Sequence, residues 1–180
     1  MKFILMSLSI LFLCSCSEKI DTRTPEEKWS DHCQQLKARI IVTFGTKMWK
    51  EKGLEPIGAG GGGDGTRTRM LSMDFRCCEK VDIVQARKLL LECVQEFLSE
   101  INKNQEIESC FTVFPFTYKN INIRIFFYEK FKNFKLIHFP CVAIAKAYEG
   151  QLRYDALKGE DFETVKEEFY EEALQIAGQN

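Results

Sequence analysis

Between residues 121 and 127 every second side chain is large and apolar: Ile121, Ile123, Ile125 and Phe127, with Asn122, Arg124 and Phe126 between them. Side chains alternate across a strand, so this pattern describes a strand that buries one face only. From Arg67 onward the same alternation recurs, with Leu71, Met73, Phe75 and Cys77 on one side and Ser72, Asp74 and Arg76 on the other. Strands with one polar face belong to a mostly antiparallel sheet, and their apolar face has to be covered by another layer. Two further runs, Val142 to Tyr148 and Gln151 to Leu157, flank Glu149-Gly150, which reads as a hairpin turn.

The covering layer is visible as helical periodicity. Thr24-Pro25-Glu26-Glu27 is a helix start, with a capping Thr, Pro at the first helical position and Glu three residues after the cap. Trp29, Cys33, Leu36, Ile40, Phe44 and Met48 then recur at steps of three and four as far as a stop at Gly53. A second helix opens at Asp82 with Gln85 completing the capping box, and its apolar face is Ile83, Ala86, Leu90, Val94, Phe97 and Ile101. Phe162, Val165, Phe169, Ala173 and Ile176 suggest a third helix from about Asp161, with the seven acids between Glu160 and Glu172 on its solvated face. Cys110 to Tyr118 reads as extended and is broken by Pro115. The expectation is a two-layer α+β domain, a mostly antiparallel sheet of about four strands under about three helices.

The chain has 180 residues, 45% hydrophobic and 28% charged, with a net charge of −1. Those values suit one globular domain and give no general attraction to nucleic acid. Its first residues are of another kind. Lys2 precedes an apolar run from Phe3 to Leu13. As a helix that run covers roughly 16 Å, too short to span a bilayer and suited to an export signal. Leu13-Cys14-Ser15-Cys16 follows and resembles the lipobox of bacterial lipoproteins, although Cys14 departs from the usual small residue there. The resemblance implies cleavage before Cys16, residues 1–15 being the signal, and lipid chains on the Cys16 thiol and new amine. Ser17 is compatible with an outer-membrane destination. Residues 17–23 then form a tether of at most about 24 Å, which keeps the domain at 24–180 close to the bilayer.

The long first helix, Glu96-Phe97-Leu98, Phe114-Pro115-Phe116-Thr117 and the run Ile121 to Phe127 are similar to small lipoproteins of chlamydia-type intracellular bacteria. That resemblance implies a Gram-negative envelope location and brings no activity, ligand or catalytic residue.

Three features are candidates for chemistry. Gly58 to Gly65, interrupted by Ala59 and Asp64, matches a GxGxxG spacing at Gly58, Gly60 and Gly63. A dinucleotide loop needs a strand before it and a helix after it, and here the order is reversed. The run therefore reads as a flexible connector whose shortening would cost little stability. An alternative is an anion-binding loop of Gly60, Gly61, Gly62 and Gly63 with Arg67 and Arg69. The second feature is six body cysteines, Cys33, Cys77, Cys78, Cys93, Cys110 and Cys141, readable as buried thiols or as disulfides in an exported protein. Neither histidine, His32 or His138, stands where a neighbouring cysteine would face it. No zinc-binding spacing, GxSxG or HExxH occurs, and no cofactor is implied.

The third feature is a basic and aromatic stretch in which Phe126 and Tyr128 occupy the strand face expected to be solvated, followed by Lys130, Phe131, Lys132, Phe134 and Lys135. Aromatic rings beside lysines suit a membrane surface or a protein partner; the alternative is a well-packed strand pair joined by a lysine-rich turn. The expected function is thus a lipid-anchored envelope domain that binds an envelope or host protein or the membrane surface, without nucleic acid. The competing expectation is a small membrane-proximal hydrolase, which would need a convergent pocket of nucleophile, base and orienting group.

Overall fold

The computed structural model describes residues 21–64, 67–130 and 135–178. The order of elements is α1 (Pro25–Lys52), β1 (Glu55–Gly63), β2 (Thr68–Cys77), α2 (Ile83–Asn102), 3₁₀ turns at Gln105–Cys110 and Tyr118–Asn120, β3 (Ile121–Phe127), β4 (Ile144–Tyr148), β5 (Gln151–Lys158), β6 (Asp161–Phe169) and α3 (Tyr170–Ala177). The strands form one sheet in sequence order, antiparallel throughout except for the parallel pair β2 and β3, which α2 connects. The class is α+β and the sheet mostly antiparallel, as the alternation requires.

Both helix starts form as their sequences dictate. Thr24 Oγ1 accepts from the Glu27 N–H while Glu27 accepts from the Thr24 N–H, and Asp82 and Gln85 repeat the exchange. Their apolar stripes meet the inward strand residues in one core. Phe44 of α1 stacks on Phe97 of α2 at 4.6 Å between ring centroids and meets Phe75 of β2 edge-on at 5.8 Å. Ile121, Ile123, Ile125 and Phe127 are all fully buried. At the β4–β5 hairpin, Glu149 and Gly150 both have positive φ, the turn that matches the twist of paired strands.

Two segments differ from expectation. The sheet has six strands, not four, and the two additional ones are the sheet's edges. Gly58 to Gly63 is no connector: it belongs to β1, paired with β2 from Gly58↔Asp74 to Gly63↔Thr68, and Gly65 lies outside the described residues. The segment after Gly159 is not helical until Tyr170; Asp161 to Phe169 is β6, paired with β5 around a bulge at Tyr154/Asp155. Tertiary pairing overrides a helical spacing of Phe162, Val165 and Phe169 that a bulged strand reproduces by chance. Among the described residues there are five helical segments, counting the two 3₁₀ turns, in place of three, and one of those turns occupies Gln105–Cys110, just before the segment expected to be extended.

Candidate binding groove

β1 runs beside the N-terminal half of α1, and most of it carries no side chains. Ser30, Gln34, Lys37, Ala38 and Ile41 lie on one helix face. Opposite them are Ala59 and Gly60 to Gly63, with Leu71 at the floor and Arg67 and Thr68 at one end. Where larger side chains would have filled the space, a groove of about 380 Å³ remains. Gly63 is required by its surroundings: a Cβ there would stand 1.9 Å from the Arg67 carbonyl oxygen. At Gly60 and Gly62 a Cβ would meet nothing within 4 Å, so those positions are bare without steric need.

Lys37 is the principal charge of the groove. Its Nζ donates to Thr68 Oγ1 at 3.0 Å, and no carboxylate pairs with it among the described residues. Burial alone pulls its pKa below the usual lysine range. Arg67, exposed at the groove's end, also borders a second hollow that contains Glu106 and Glu108. A disulfide joins Cys33, on the groove wall, to Cys110 at the end of the first 3₁₀ turn, so the helix wall is fixed covalently. The structure thus brings Gly60, Gly61, Gly62, Gly63 and Arg67 together as edge strand and rim, not as a loop. It leaves Arg69 outside the groove and adds Lys37, which sequence reasoning missed. The signal was present: Lys37 lies one residue from Leu36 on the apolar stripe, so a helix packed there places it at the boundary of the core.

Among the described residues the buried polar side chains are matched internally. On the uncovered sheet face Arg124 Nε bonds Asp74 at 2.7 Å, and Asp155 accepts from Lys146, Arg153 and Thr164. Beneath the helices Arg87 forms a two-bond pair with Glu168, and Tyr154 Oη donates to the same carboxylate. His32 is exposed beside a disulfide-bonded Cys33, and His138 is exposed while Cys141 is half-buried; no imidazole bonds a thiol among the described residues.

The basic-aromatic stretch is only partly described. Phe126 is half-buried on the open sheet face, under the Arg124 guanidinium at 5.7 Å. Tyr128 is half-buried and bridges to Leu136, while Lys130 and Lys135 are exposed. Phe131, Lys132 and Phe134 lie outside the described residues, as does Cys16. The Tyr128 N–H bonds the Cys77 carbonyl, at the far end of β2 from Thr68 and the groove. Thr68 and Cys77 are nine residues apart, about 30 Å of strand, so the groove and this stretch occupy opposite ends of the sheet. No helix among the described residues is long and apolar enough to cross a membrane. Comparison with protein-family models, curated proteins and solved structures finds no match to this chain.

Proposed function

We propose that the chain is a lipid-anchored protein of the bacterial cell envelope that works by binding, with the groove between α1 and β1 as its binding site. The observation that carries this reading is Lys37: a half-buried cation, unmatched by any carboxylate among the described residues, beside a strand whose bareness leaves room for a ligand. Export is supported by the Cys33–Cys110 disulfide, since such bonds persist outside the reducing cytosol. Cys16 is the attachment point and the outer membrane the destination. A tether of seven residues reaches about 24 Å, and α1 begins at the sheet end that holds the groove, so the groove lies at the end of the domain nearer the tether.

Two measurements test this. Cys16→Ala should move the protein out of the membrane fraction and abolish palmitate incorporation; a labelled, membrane-bound Ala variant overturns the anchor. A photo-crosslinking residue at Ala38 should capture envelope components that the same residue at Glu163, on the opposite sheet edge, does not. Equal capture from both positions overturns the groove as the site.

A further inference from the structure

The two edges of the sheet are finished differently. An exposed edge strand is a template for another chain unless charges, a bulge or a proline block it. β6 has Asp161, Glu163, Lys166 and Glu167 along its length and a bulge against β5. β1 has Pro56 at its start and register shifts at Pro56/Gly58 and Gly62/Gly63. Between those irregularities no charged side chain interrupts it, and residues 59 to 63 are all exposed. In an antiparallel pair every second residue turns its N–H and C=O toward the neighbour, so an edge strand presents the remaining set outward. Gly58 to Gly62 is five residues, about 17 Å of strand.

Resting on the reading of the chain as a binding protein, we infer that β1 accepts an extended acidic polypeptide segment as a seventh strand, its acid set against Lys37. Main-chain hydrogen bonds to β1 hold the segment, and alternate side chains select it, as in other cases of strand addition. One set of its side chains falls on the groove side, where Lys37 and Arg67 are cationic and Ile41 and Leu71 are apolar. The other set falls over Gly60 and Gly62, where open space imposes no size limit. Charge complementarity fixes the class of partner: the groove holds two cations and no carboxylate among its lining residues. A carboxylate beside Lys37 replaces the water that burial has removed, and favours the charged amine that burial alone disfavours.

The test uses the full chain in detergent with two synthetic probes, acetyl-Glu-Val-Glu-Val-Glu-amide and its lysine counterpart, acetyl-Lys-Val-Lys-Val-Lys-amide. The acidic peptide should bind at least about tenfold more tightly, with slowed amide exchange at alternate residues of Gly58 to Gly62. Lys37→Gln should bring the two affinities to within about twofold, and Lys37→Arg should restore the preference. Methylating alternate backbone nitrogens of the acidic peptide should abolish binding in one phase of alternation and spare it in the other. Equal affinity for the two peptides overturns the inference. So does an effect that inorganic phosphate reproduces without exchange protection, which marks a small-anion site. A dimer formed without peptide, its β1 amides already protected, also overturns it, because a second copy then fills the edge. None of these readouts depends on the lipid anchor or on a native partner. Failure here with selective capture from Ala38 intact leaves the binding function standing and removes only strand addition.

Discussion

Arg87 and Glu168 join α2 to the last strand through bonds of 2.6 and 2.9 Å, and both side chains are nearly inaccessible to water. Removing one member of such a pair strands the other as a buried charge. Arg87→Ala should therefore cost about 3–5 kcal/mol in urea unfolding, whereas a well-packed double replacement by methionine, made together with Tyr154→Phe so that no buried hydroxyl is left unpaired, should be near neutral. Tyr154→Phe, which removes one hydrogen bond to Glu168, should cost less, about 1–2 kcal/mol. The same groups set the acid limit of stability. Burial acts to raise the pKa of Glu168, but bonds from Arg87 and Tyr154 outweigh it and the net direction is down. For Asp155 burial likewise acts upward and is outweighed by Lys146, Arg153 and Thr164. A carboxyl with a lowered folded pKa contributes stability above its unfolded value, about 4, and loses that contribution as pH falls through the folded value. Unfolding free energy should hold between pH 7 and about pH 5 and then fall, with a shallower fall in Glu168→Gln. A decline that begins near pH 6, or an unchanged slope in the variant, would show that other groups control acid unfolding.

At the level of elements, periodicity found what it is able to find. α1, α2, β2 and β3 bury apolar residues at regular spacing, and the structure places all four as their spacing demands. The two edges escaped for different reasons. From Gly58 to Gly63, β1 has no side chain but the Ala59 methyl, so no alternation exists to be read. β6 has no apolar alternation: a bulge interrupts it, and its inward positions beyond the bulge hold Lys166 and Glu168, which pair across to Tyr154 and Leu152; the charge that compensates Glu168 is Arg87, distant in sequence on α2. Of the groove, only the glycines and Arg67 were visible beforehand. Lys37 gains its meaning from the strand that folds against it. Because β1 is a strand, its glycines are not equivalent. Gly60→Thr should be neutral or stabilising by up to about 1 kcal/mol, since a Cβ there touches nothing and threonine favours extended backbone. Gly63→Ala should destabilise by about 1–3 kcal/mol, because its methyl has to displace the Arg67 carbonyl. Equal effects of the two substitutions, measured by chemical denaturation, would mean that β1 does not hold this register.

Over the whole molecule, the parts most concerned with position lie at one end of the sheet: the start of α1, the groove, and the disulfide linking Cys33 to Cys110. That bond closes a sequence separation of 77 residues. The loop it closes contains all of β1, β2 and α2, which is two of the sheet's six strands, one of them an edge, and one of its two long helices. In the chain-entropy account a cross-link of this span restricts the unfolded chain by about 4.5 kcal/mol. At 2–4 °C per kcal/mol for a domain of this size, Cys33→Ala with Cys110→Ala should lower Tm by roughly 9–18 °C. Dithiothreitol should lower the Tm of the natural chain by a similar amount and leave the double variant unchanged. The loss should be uneven in place. Met48 and Phe44, toward the C-terminal half of α1, remain held by Phe75, Phe97 and Cys93. The N-terminal half loses its covalent tie and keeps Leu36, Ile40 and the Lys37–Thr68 bond. Amide exchange should therefore accelerate first in residues 30 to 41, the helix wall of the groove, and the acidic peptide should bind the reduced protein more weakly than the oxidised one. A reduced protein with unchanged Tm and unchanged exchange in that segment would show that packing alone holds the wall in place.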